Sequence, residues 1–74
     1  MANETGRTMT TKRVKAKDLV VGDTVHWQAA SGVVQGRIHD IEEKKGGVRT
    51  IRIEPVGSHS RMLNADDTVD VVIF

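Results

Sequence analysis

Apolar residues in this chain recur at every second position and nowhere sustain a helical spacing, and that pattern confines it to β structure. Val14 and Ala16 alternate with Arg13, Lys15 and Lys17, Val25 and Trp27 with His26 and Gln28, and Ile51 and Ile53 flank Arg52. Val69, Val71 and Ile73 repeat the alternation near the end. At 74 residues there is room for one domain, and a domain of this size buries only about 60% of the surface its unfolded chain exposes. The core is therefore thin. With no cysteine, neither disulfides nor a thiolate zinc site reinforce it.

Turn chemistry divides the alternating segments. Asp18-Leu19-Val20-Val21-Gly22-Asp23 reads as a turn with buried apolar pegs, since Gly22 takes a positive φ and the aspartates bond the local backbone. Val33 to Glu43 reads as a long strand whose apolar parity slips between Ile38 and Ile41, which predicts a β-bulge. Glu42 to Gly47 is a polar hairpin tip ahead of the returning strand Arg49 to Ile53. Pro55 and Gly57 end that strand, and Arg61-Met62-Leu63 reads as a short one. Asn64 to Asp67 has the side-chain acceptors of a single helical turn. Met1 to Thr11 is rich in threonine and poor in apolar residues, too poor to offset the entropy of ordering, so it reads as a disordered tail.

The run Val14 to Val25, with Asp-Leu-x-x-Gly-Asp at its centre, together with Leu63-Asn64-Ala65-Asp66-Asp67-Thr68-Val69, resembles small uncharacterised SH3-like β-barrel proteins of actinobacteria and their phages. The likeness spans about residues 13 to 73 and rests on turn and core positions, which specify a fold and carry over no active site. It implies an all-β fold, an SH3-like barrel of about five short strands over residues 12–74 behind a tail at 1–11. It also implies a phage-encoded accessory protein. Trp27 and Phe74 are the only aromatics and tyrosine is absent. An aromatic groove for proline-rich peptides cannot be built from these, and neither can a stacking platform for single-stranded nucleic acid. Duplex binding and protein binding remain.

The net charge of +1 conceals an asymmetry. Residues 1–17 hold five bases and one acid, net +4, whereas residues 18–74 hold six bases and nine acids, net −3. Arg7, Lys12, Arg13, Lys15 and Lys17 are thus the candidate phosphate-binding residues of a basic arm, with Arg52 extending the patch outward from its strand. Arg61 and Arg49 are further candidates, although Arg49 shares the inward parity of Ile51 and Ile53. The competing reading is that the lysines guard an exposed edge strand. Trp27, Met62 and Phe74 are candidate interface residues for a protein partner or for self-association, through a sheet edge or through the strand Val69 to Phe74, whose run Val71-Val72-Ile73-Phe74 is apolar on both strand faces.

Enzymatic chemistry finds little support. His26, His39 and His59 do not pair at metal-ligand spacing, and Ser58-His59-Ser60 places neighbouring side chains on opposite faces of an extended chain. Asp66-Asp67 and Glu42-Glu43 suit turn capping and solvated tips better than paired acid and base work. Gly46-Gly47 lacks the lysine and helix of a phosphate loop. The expectation is a non-enzymatic module with no cofactor, no metal and no small-molecule substrate. No apolar run reaches the length of an export signal or a membrane span, so a cytoplasmic location without membrane association is expected.

Overall fold

The computed structural model describes residues 10–74. They form six antiparallel strands: β1 (Thr11–Lys15), β2 (Thr24–Ala29), β3 (Gly32–Glu43), β4 (Arg49–Ile53), β5 (His59–Leu63) and β6 (Thr68–Val72). The fold is all-β, as the alternation requires. The strands make one sheet in the order β1-β6-β2-β3-β4-β5, so the number is six rather than about five, and the sheet is open. Its outer strands, β1 and β5, do not pair with each other. After β1 the chain turns away at Ala16–Asp18 in a single 3₁₀ turn, where the lead strand was expected to run on to Lys17. The carbonyls of Ala16 and Leu19 each accept a hydrogen bond at 2.8 Å from Arg49 Nη1. The guanidinium thus ties this turn to β4.

β3 organises the sheet. At 12 residues it pairs with β2 from Gly32 to Arg37 and with β4 from Ile38 to Glu43. The register shifts between Ile38 and Asp40. His39 is the extra residue, so Ile38 and Ile41 both face inward despite their odd spacing. The bend at this point lets the two halves of the sheet fold over one core, made of Ala16, Leu19, Val25, Val34, Ile38, Ile51, Ile53, Leu63, Val69 and Val71. Gly36 lies where the end of β4 crosses. A Cβ there would stand 2.8 Å from Ile53 Cδ1 and 2.9 Å from the Glu54 carbonyl oxygen.

Two turns carry the same device. In Val20–Asp23, Asp23 Oδ2 accepts from the Val20 N–H while the Asp23 N–H donates to the Val20 carbonyl, and Gly22 adopts φ of 104°. In Asn64–Asp67, Asp67 repeats both bonds on Asn64. The second is a hydrogen-bonded turn rather than the helical turn expected from sequence. The second turn is tied to the end of β1, because the Ala16 and Lys17 N–H groups donate to the carbonyls of Asp67 and Ala65, whereas the first is tied to β3 through Ile38. Among the described residues no helix is long and apolar enough to cross a membrane.

Candidate nucleic-acid interface

The basic segment is part of the sheet, not an appendage to it. Thr11, assigned to the tail by its composition, pairs with Val72, and the ladder continues to Lys15 opposite Thr68. Its side chains differ in what they have left to offer. Arg13 Nε lies 3.0 Å from Asp70 Oδ1 and its Nη1 lies 3.3 Å from Thr68 Oγ1, yet 69% of the side chain stays exposed. Lys15 Nζ is 3.7 Å from Asp66 Oδ1. Lys12 and Lys17 are exposed and have no ion-pair partner among the described residues. Arg7 lies outside the described residues.

Arg52 does not join this group. It sits on β4, with its Nη1 2.7 Å from Asp40 Oδ2 and its Nη2 2.7 Å from Glu42 Oε1. The second of these bonds, reinforced by Lys44 3.5 Å from Glu42 Oε2, holds the Glu42 carboxyl below the usual carboxylate range, with the Arg52 hydrogen bond the largest cause. The same carboxylates raise the Arg52 guanidinium further above its ordinary value, Glu42 first and Asp40 next. Arg49 is also engaged internally, on the Ala16 and Leu19 carbonyls and 3.7 Å from Glu43. Both arginines are therefore structural members of β4, a role that an exposed phosphate contact would interrupt.

The candidate interface residues separate too. Trp27 is half-buried against the core, with the Arg61 guanidinium carbon 5.6 Å from its ring centroid. Met62 is 64% exposed on β5, and Phe74 is 97% exposed just past β6. Met62 and Phe74 are not brought together by the sheet, since β5 and β6 do not pair with each other. Val71 and Val72, half of the apolar run proposed as a contact surface, are buried, because β6 is an interior strand between β1 and β2. That run is explained by packing, except for Ile73 and Phe74.

What sequence reasoning missed is a cleft at a fork in the sheet. β6 pairs with β2 only at Val25 and His26. Beyond that point β6 follows β1 while β2 follows β3. The gap holds a cleft of about 180 Å³ lined by Arg13, His26, Trp27, Arg61, Thr68, Val69 and Asp70. Arg13 and Arg61 come from the two outer strands of the sheet and meet only because it is so strongly bent. Nothing in local sequence signals a juxtaposition across 48 positions. The sequence nominates each of them as a candidate phosphate contact, but not the two together.

Two other hollows have less to offer. One, under β1, sets Lys12, Arg13 and Lys15 against Asp18 and Asp23, a surplus of one positive charge with no aromatic face to hold a cation in place. The other, about 150 Å³, is lined by Arg52 and the loop Gly57 to Ser60. It sets His59 beside Ser58 and Ser60, but no side-chain hydrogen bond joins them among the described residues. No group of three His, Cys, Asp or Glu side chains is placed to hold a metal among the described residues. His26 instead has its Nδ1 3.2 Å from Gln35 Oε1. Comparison with protein-family models, with curated proteins and with solved structures finds no match to the chain.

Proposed function

We propose that this chain is a non-enzymatic binding module that holds nucleic acid weakly, through phosphate contacts made by its basic N-terminal segment. The observation that carries this reading is the uneven use of cations. Arg49 and Arg52 spend their donors inside the protein, while Lys12 and Lys17 on the basic segment remain unpaired among the described residues and Arg13 stays mostly exposed. Exposed lysines, Lys12 on the edge strand and Lys17 in the turn after it, neutralise phosphates without reading bases, which gives affinity that is salt-dependent and insensitive to sequence. The bent sheet, with β3 shared between its halves, supports assignment to the SH3-like barrels in an open form. The resemblance in the Asp-Leu-x-x-Gly-Asp and Asn-Ala-Asp-Asp turns supports a phage-encoded accessory protein of the cytoplasm.

The test is fluorescence anisotropy of labelled duplex DNA and RNA titrated across salt. Each phosphate neutralised adds about −0.9 to the log-log slope on duplex DNA, so replacing Lys12 and Lys17 by glutamine should flatten it by about 1.8. No binding at low salt, or a slope indifferent to the two substitutions, would retire the reading and leave the lysines as edge protection. A second reading rests on the exposure of Phe74 at 97% and Met62 at 64%, which suits a protein contact or self-association. Light scattering across concentration separates the two, since only self-association raises the apparent mass.

A further inference from the structure

We propose that the fork between β2 and β6 is a binding site for a tetrahedral oxyanion, a single phosphate group, held between Arg13 and Arg61 beside Trp27. The site deepens the nucleic-acid reading, because the phosphate it suits best belongs to a nucleic-acid backbone. Charge is the first argument. The cleft gathers two guanidinium groups and one carboxylate, Asp70, and so its arginines outnumber its acids by one.

The second argument is the donors still available. Arg13 is oriented by Asp70 on Nε and Thr68 on Nη1, which leaves its Nη2 edge unused. Arg61 lies over the Trp27 ring at 5.6 Å and has no carboxylate partner among the described residues. A guanidinium parked on an aromatic face keeps its N–H edge outward and loses little rotamer freedom when that edge meets an oxyanion. Arg49 and Arg52 offer nothing comparable, since their terminal nitrogens already bond carbonyls and carboxylates.

Shape is the third argument. About 180 Å³ accommodates a phosphate group, and the Trp27 face that a base would stack on is taken by Arg61. Trp27 and Val69 line the cleft beside its polar groups, and two charge-assisted hydrogen bonds from guanidinium groups are what it offers an oxyanion. The site therefore reads a phosphate and not the base attached to it.

Trp27 is the only tryptophan and reports on the site directly. Inorganic phosphate titrated into the intact protein at constant ionic strength, with sodium chloride as the balancing salt, should give a saturable change in Trp27 emission. Amide shifts should concentrate at Arg13, His26, Trp27, Arg61 and Thr68. Arg61→Gln should weaken phosphate binding about tenfold, while Lys12→Gln with Lys17→Gln should leave it unchanged. A response that matches chloride, or shifts scattered over the surface of the unaltered protein, would overturn the site without reliance on any variant. A short DNA duplex separates the two proposals. Duplex binding that leaves the fork amides unmoved overturns the phosphate site and leaves the basic segment standing. Phosphate binding at the fork with no duplex binding keeps the site and retires the nucleic-acid reading.

Discussion

Gly36 shows how one position can depend on the whole architecture. Its missing side chain lets the end of β4 pass within 2.9 Å of where a Cβ would stand, and the closest obstacle after Ile53 is backbone. Gly36→Ala should therefore destabilise the protein by about 1–3 kcal/mol, as overpacking does when the neighbour cannot yield. Urea unfolding measures this, and an unchanged midpoint would show that the crossing relaxes. Thr50 points the other way. It is 7% exposed, and its Oγ1 is buried with no partner, so Thr50→Val keeps the shape and β-branch while removing an unsatisfied hydroxyl. The same unfolding experiment should show stability unchanged or higher by up to about 1 kcal/mol. Arg49→Met should cost about 1–2 kcal/mol, since the Leu19 carbonyl loses its partner while that of Ala16 keeps only the Leu19 N–H at 3.2 Å. Sequence made the inward parity of Arg49 visible but not its targets, which lie 30 and 33 positions away. Gly36 gave only the general hint that an isolated glycine in a strand marks a close approach.

Elements were more legible than residues where the cause is local. The alternation placed most strands, though β5 begins at His59, in a segment read as a connection up to Ser60, and the slip of parity between Ile38 and Ile41 located the bulge at His39. Gly46 and Gly47, with φ of 78° and 80°, made the hairpin tip. Other local rules gave way to tertiary bonds. The segment after Lys15 leaves the strand because Ala16 is wholly buried and its carbonyl is capped by Arg49. Across β3 and β4, the outward ladder of Asp40, Glu42 and Arg52 gives a pH prediction with a definite sign. Glu42 sits below its ordinary value in the folded protein, so its contribution to stability is present above the unfolded carboxylate pKa. That contribution fades as pH falls through the lower folded value. Carboxyl NMR should find Glu42 titrating below an ordinary glutamate, and Arg52→Gln should move it most of the way back. A Glu42 titration that ignores Arg52→Gln would mean the ion pair does not persist in solution.

At the scale of the whole molecule, strand order and curvature could not be read from the sequence. Both depend on which non-local ladders form, and the same alternation serves several. The charge division between residues 1–17 and the remainder was plain, but its meaning changes once β1 is seen to be paired along its length with β6. Part of the basic segment is then answered within the sheet, at Asp70 and Asp66, and what is left over is concentrated at Lys12, Lys17 and the fork. The integration of β1 also makes a prediction about how much of the chain the fold needs. A chain beginning at Thr10 retains the five β1 pairs and the Ile73 N–H bond to the Thr10 carbonyl, and should unfold at nearly the same urea concentration as the intact protein. A chain beginning at Asp18 loses that ladder and the core residue Ala16, uncovers one side of β6, and removes one of the two carbonyls that Arg49 holds. In a domain with so thin a core those losses exceed what the remaining contacts supply. Amide NMR should show a dispersed spectrum for the first chain and a collapsed one for the second. A folded chain from Asp18 would show that β1 is dispensable, and would return the basic segment to the status of a free arm.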